Sequence, residues 1–100
     1  MIRLVIALLC IAPARADDAG LAAGRALFIG QAEPACAVCH TLADAKSDGQ
    51  VGPVLDVLKP GAARVVAAVT NGIGIMPAYD SLTKAQIEAV ALYVSTVTGP

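Results

Sequence analysis

Apolar residues recur at helical spacing in three stretches of the chain, and no stretch shows a convincing alternation of the kind a half-buried strand needs. In the first, Leu21, Gly24, Leu27 and Phe28 share one face, which predicts a helix from about Asp18 to Ile29. Asp17 or Asp18 can cap it, with acidic charge suited to the helix dipole. Gly24 costs such a helix about 1 kcal/mol relative to alanine, so another helix is expected to pass close to it. In the second stretch Ala62, Val65, Val66 and Val69 fall together, predicting a helix from about Gly61 to Thr70. Pro60 stands at its start and Gly72 just past its end, where first turns and C-caps take these residues. In the third, Ile87, Val90, Ala91 and Val94 form a stripe over Lys84–Thr96. Thr83 with Gln86 makes a capping box, and Leu82 can staple onto Ile87. This last helix is expected to cross the first near Gly24, with Phe28 and Tyr93 flanking the crossing. Residues 31–59 and 71–82 carry the Gly-Pro and Gly-x-Gly turns and are predicted to be irregular. The expectation is one all-α domain of three main helices with little or no sheet.

The N-terminus changes how the composition is read. Met1–Ala16 has the layout of a secretory signal peptide: Arg3, a short apolar run over Leu4–Ala12, Pro13, then Ala14-Arg15-Ala16. The run is too short to span a bilayer, which counts against an uncleaved anchor. A lipoprotein site at Cys10 is disfavoured by Leu9, where a small residue is wanted. Cleavage after Ala16 gives a mature domain of residues 17–100. Much of the 57% hydrophobic content lies in the segment removed. The mature part sets five basic residues against eight acidic ones, a net charge of −3. With no basic patch, nucleic acid is not an expected partner. With no Trp and only three aromatics, a domain of this size has a thin conventional core. A bound apolar cofactor would fill it.

The pentapeptide Cys36-Ala-Val-Cys39-His40 supplies one. Two thiols three positions apart followed by an imidazole form the attachment signature of a c-type heme. Each thiol adds across one vinyl group of the porphyrin, and His40 reaches the iron. A thioredoxin-like dithiol would want a βαβ context, which the pattern lacks. A zinc site would need two more ligands. The chain has no second His, and its third Cys is Cys10. Export and heme c are mutually consistent.

The mature chain has one methionine besides its one histidine, so bis-histidine ligation within the chain is excluded and Met76 is the candidate sixth ligand. Its loop suits that role: Gly72 and Gly74 permit a tight turn and Pro77 stiffens the chain after the sulfur. A ligating histidine donates its other ring N–H to an acceptor that fixes its orientation. The Gly52-Pro53 turn offers the carbonyl of Pro53, which would leave Leu55 pointing at the porphyrin. A Met on the iron leaves no open position, so outer-sphere electron transfer is the expected activity and an enzymatic role is not. Ala37, Val38, Ile75 and Ala78 would form an apolar docking rim. Lys46 and Lys59 are read as solvated surface charge rather than partner contacts.

Taken together, Gly24 with Phe28, the CAVCH motif, GPVL at 52–55, NGIGIMP at 71–77 and the closing helix with Tyr93 resemble the class I c-type cytochromes over Asp17–Gly99. The resemblance implies a cytochrome c fold around one covalently attached heme c with one edge exposed. It also implies that Asn71 and Tyr79 lie near the heme pocket. The lysine ring by which mitochondrial members dock partners is absent, so that docking mode is not implied. Size and motif layout are also similar to small heme subunits or partners of periplasmic dehydrogenases, sulfite dehydrogenase among them. The implied role is a periplasmic carrier between a redox donor and acceptor, such as a dehydrogenase and a membrane oxidase or reductase. Two alternatives remain open on sequence: a permanent heme subunit of such a dehydrogenase, and a heme enzyme or gas sensor with an open iron position.

Overall fold

Where the apolar periodicity is strongest, the backbone is helical. The computed structural model describes residues 16–99 together with Val5. The signal peptide expected over 1–16, and Cys10 within it, lies otherwise outside the described residues. The chain runs through α1 (Ala16–Ala26), a π-helical turn (Leu27–Gln31), α2 (Cys36–Cys39), β1 (Thr41–Leu42), β2 (Ser47–Asp48), α3 (Leu55–Leu58), α4 (Ala62–Asn71) and α5 (Lys84–Thr98).

α1, α4 and α5 are the three helices expected, and α5 packs against both of the others. α1 does not end at Ile29 as expected. It ends as an α-helix at Ala26 and widens into a turn closed by Ala32 N–H donating to Leu27 O at 3.0 Å, five residues back. The extra residue brings Leu27 and Phe28 inward together, leaving Ile29 exposed. α5 runs two residues past the expected Thr96 and begins at the capping box: Thr83 Oγ1 accepts from Gln86 N, and Gln86 Oε1 accepts from Thr83 N. Along α4, Val65 and Val69 are buried, whereas Ala62 lies exposed rather than on the packed face.

The crossing of α1 and α5 is a backbone contact. A Cβ on Gly24 would collide with the carbonyl oxygen of Ala89 and lie 2.5 Å from Tyr93 Cβ. Beside it Phe28 and Tyr93 meet edge-on, centroids 5.9 Å apart at 63°. The Tyr93 hydroxyl donates to Asp44 Oδ2 at 2.5 Å, and Arg25 Nε lies 3.8 Å from the same carboxylate. α1, α5 and the 43–46 turn thus meet at one carboxylate.

Short elements form within residues 31–59, a stretch expected to be irregular: α2, a hairpin and α3. The β1–β2 hairpin pairs Thr41 with Asp48 and Leu42 with Ser47. Side chains hold it more than its two-residue ladder does: Ser47 Oγ donates to His40 O at 2.9 Å and accepts from Leu42 N at 3.0 Å. α3 is a single turn, ended by Lys59 in the left-handed region (φ 48°) and followed by Pro60.

Candidate functional site

The one-turn helix α2 sets the chemistry of the CAVCH motif. One turn places Cys36 and Cys39 on the same side, and His40 leaves it in extended conformation, its N–H bonded to Cys36 O at 3.0 Å. All three line a cavity of about 360 Å³. Phe28, Leu55, Val65 and Val94 represent the π turn, α3, α4 and α5 in its wall, which is largely apolar.

His40 is oriented by the loop after β2. Its Nδ1 lies 2.8 Å from Pro53 O. A carbonyl only accepts, so Nδ1 carries a proton, and it is Nε2 of the neutral ring that has the lone pair to offer. Gly52 lies flat against the same ring: a Cβ there would overlap Cε1 and sit 2.8 Å from Nδ1 and 2.9 Å from Nε2. The Gly-Pro pair therefore does two jobs, of which the sequence suggests only the acceptor.

Met76 enters the same cavity from the loop after α4. Gly72 ends α4 with φ +74°, a conformation that favours glycine, and its N–H bonds to Ala68 O. Ile73 N–H donates to Met76 O at 3.0 Å, and Met76 N–H to Ile73 O at 2.9 Å, closing a tight four-residue turn. Tyr79 follows, buried, and its hydroxyl donates to Pro34 O at 2.6 Å.

The structure brings Cys36, Cys39, His40, Pro53, Leu55, Met76 and Tyr79 to this one cavity. It does not bring Asn71. That residue is the last of α4, stands exposed, and is not part of the wall, because the helix turns its final residue away from the face that carries Val65 and Val69. Arg64, counted in the sequence only toward net charge, is in the wall, and apart from His40 it is the one ionisable basic side chain there. Its place one residue before Val65 on α4 was the available signal.

Burial dominates the electrostatics of the attachment side. It pushes the Cys36 thiol up to about 11, with hydrogen bonds to its own backbone and to Tyr79 opposing. It likewise pushes the Tyr79 phenol up to about 12, helped by the neighbouring charges of Cys36 and Cys39. Among the described residues no group of three or more His, Cys, Asp and Glu could hold a metal ion, so a tetrahedral zinc site has no ligand set there. The donor set fits a c-type heme: two thiols one turn apart, an imidazole with its tautomer fixed, a thioether and an apolar wall.

Two exposed apolar side chains stand in the cavity's wall, Ile75 at 83% and Ile73 at 64% exposure, and Val38, between the two cysteines, is 66% exposed. Of the rim expected from sequence, Val38, Ile75 and Ala78 are exposed and Ala37 is half-buried. No helix among the described residues is long and apolar enough to cross a membrane.

Residues 19–94 match the family described as "Cytochrome C oxidase, cbb3-type, subunit III". The crystal structure of the c-type cytochrome SorU from Sinorhizobium meliloti matches with a TM-score of 0.80 at 63% identity, over 81% of this chain and 93% of that one. No curated protein matches the chain.

Proposed function

The chain belongs to this cytochrome c family, and from that premise we propose that it carries single electrons in a bacterial periplasm on a heme held between His40 and Met76. Membership makes it an electron carrier rather than an enzyme, with a covalently bound heme c and redox proteins for partners. The reading as a heme enzyme or gas sensor is set aside on the same ground. When bound, the heme supplies the one-electron ferric/ferrous couple.

The chain's own residues do the rest. Cys36 and Cys39 would hold the heme, each thiol adding across one vinyl group, sulfur to one carbon and hydrogen to the other. His40 presents Nε2 while Nδ1–H donates to Pro53 O, which fixes the ring and raises its basicity. Met76 presents a thioether from the far loop, a ligand that favours the lower oxidation state and so raises the potential. Arg64 is the cation available to a propionate. The apolar wall keeps water out of the cavity. The exposed Val38, Ile73 and Ile75 offer a small apolar contact of the kind transient redox encounters use.

The observation that carries this reading is the pairing of a tautomer-fixed His40 and Met76 in one apolar cavity. Export follows from the charged, then apolar, then Ala14-Arg15-Ala16 start of the chain. The donor that fits the motif layout is a periplasmic dehydrogenase, sulfite dehydrogenase being the candidate, and the acceptor a membrane oxidase or reductase.

Spectra of the purified protein test the axial pair. The ferric form should show the weak long-wavelength band of iron–sulfur ligation, and the ferrous form should resist carbon monoxide. Met76→Ala should abolish the band, lower the potential and admit carbon monoxide. An unchanged band in that variant would remove Met76 from the iron. Stoichiometric co-purification with a larger chain would make the protein a permanent subunit instead of a diffusing carrier.

A further inference from the structure

The loop that carries Met76 is anchored mostly to its own side of the cavity. Its start bonds to α4 through Gly72 N–H and Ala68 O at 2.8 Å, and its end through Tyr79 N–H and Val69 O at 2.9 Å. Both anchors are on α4. A hydrogen bond also joins this loop to the segment that leads into Cys36: the Tyr79 hydroxyl donates to the carbonyl of Pro34, 45 residues away in sequence and 2.6 Å away in space. Both residues line the cavity; Tyr79 is buried and Pro34 exposed, so the bond is part-buried.

We infer that Tyr79 is a positioning residue whose hydroxyl latches the Met76 loop to the attachment segment and thereby sets how readily another ligand can displace the sulfur. The inference rests on the proposed His40/Met76 ligation. A ligand entering at the sulfur's place must wait for the loop to swing out. That opening carries Tyr79 outward and breaks the Tyr79–Pro34 bond, whereas the Gly72–Ala68 anchor on α4 can stay made and act as the hinge. An entering ligand binds the open population, so its apparent affinity scales with the fraction open. Phenylalanine keeps the ring and its packing and removes the hydroxyl, and with it the bond to Pro34 and the contact with Cys36.

The experiment titrates the ferric holoprotein with imidazole and follows loss of the iron–sulfur band. Tyr79→Phe should bind imidazole about fivefold more tightly than wild type, the equivalent of one net hydrogen bond. Amide exchange at Ile73 and Met76 should quicken in the same variant. Tyr93→Phe is the control: it too deletes a tyrosine hydrogen bond, but one that joins α5 to Asp44 and involves neither the loop nor its anchors. Its imidazole affinity should stay within about twofold of wild type even if it unfolds more easily. Equal affinity in Tyr79→Phe and wild type would overturn the latch, as would an equal gain in Tyr93→Phe. A wild-type protein with no iron–sulfur band would overturn the axial assignment itself, a different result from either.

Discussion

Replacing Gly24 with alanine adds a single methyl group where two helix backbones touch. Alanine is the better helix former by about 1 kcal/mol, so propensity alone predicts a more stable protein. The geometry predicts the reverse. The new Cβ would sit 2.5 Å from Tyr93 Cβ, where ordinary contact begins at 3.4 Å, and nearer still to the Ala89 carbonyl oxygen. Neither neighbour can rotate away, since one is backbone and the other is fixed to it. α1 and α5 must therefore separate by roughly 1 Å, loosening the edge-on pair of Phe28 and Tyr93, a strain of the overpacking kind that costs about 1–3 kcal/mol, with up to about 1 kcal/mol more from the aromatic pair. After the propensity gain, a net loss of about 2 kcal/mol remains, or about 1 M in the urea midpoint of the holoprotein. Gly30→Ala is the matched control. Nothing lies within 4 Å of a Cβ there, so the midpoint should hold or rise slightly. A Gly24→Ala protein as stable as wild type would show that the crossing is not backbone-tight.

Gly52→Ala should press a methyl on the His40 ring, break the Nδ1–Pro53 bond and weaken the imidazole as a donor, raising the midpoint potential by about 40 mV for one bond of about 1 kcal/mol. An unchanged potential, read by redox titration, would refute the clamp. pH should act through Tyr93, whose phenol is pushed well above its ordinary value of 10.0 by burial first, then by its hydrogen bond to Asp44 and that carboxylate's charge. Its folded-state pKa lies above the unfolded one, so the folded chain keeps a proton that the unfolded chain loses. This contribution is whole below pH 10 and declines as pH rises above it, so urea midpoints should fall between about pH 10 and pH 12. Midpoints that stay level across that window would contradict it.

The parts legible in the sequence were those with strong local rules. Periodicity located α1, α4 and α5, the Thr83–Gln86 box marked the start of α5, and an otherwise costly glycine in a helix foretold the crossing at Gly24. The Gly-Pro turn pointed to the Pro53 carbonyl because a stiff turn shortly after the histidine can hold an acceptor in place. What stayed hidden depends on distant partners. The π turn at Leu27–Gln31 has no signature, since it arises from the need to bury Leu27 and Phe28 together. The hairpin is held by Ser47 on the His40 carbonyl, a contact no alternation announces. Asn71, placed near the pocket by resemblance, falls at a helix end turned outward, whereas Arg64 on the same helix faces the cavity.

The tight turn at 73–76 closes on itself through its own two backbone bonds. Its side chains at 73 and 75, like that of Ala78 just beyond it, are largely exposed at the cavity's edge, so they can change as partners change. The sulfur at 76 answers to different constraints on the inner side. Choice of partner and redox tuning can therefore drift separately through evolution, although they share a single stretch of a few residues.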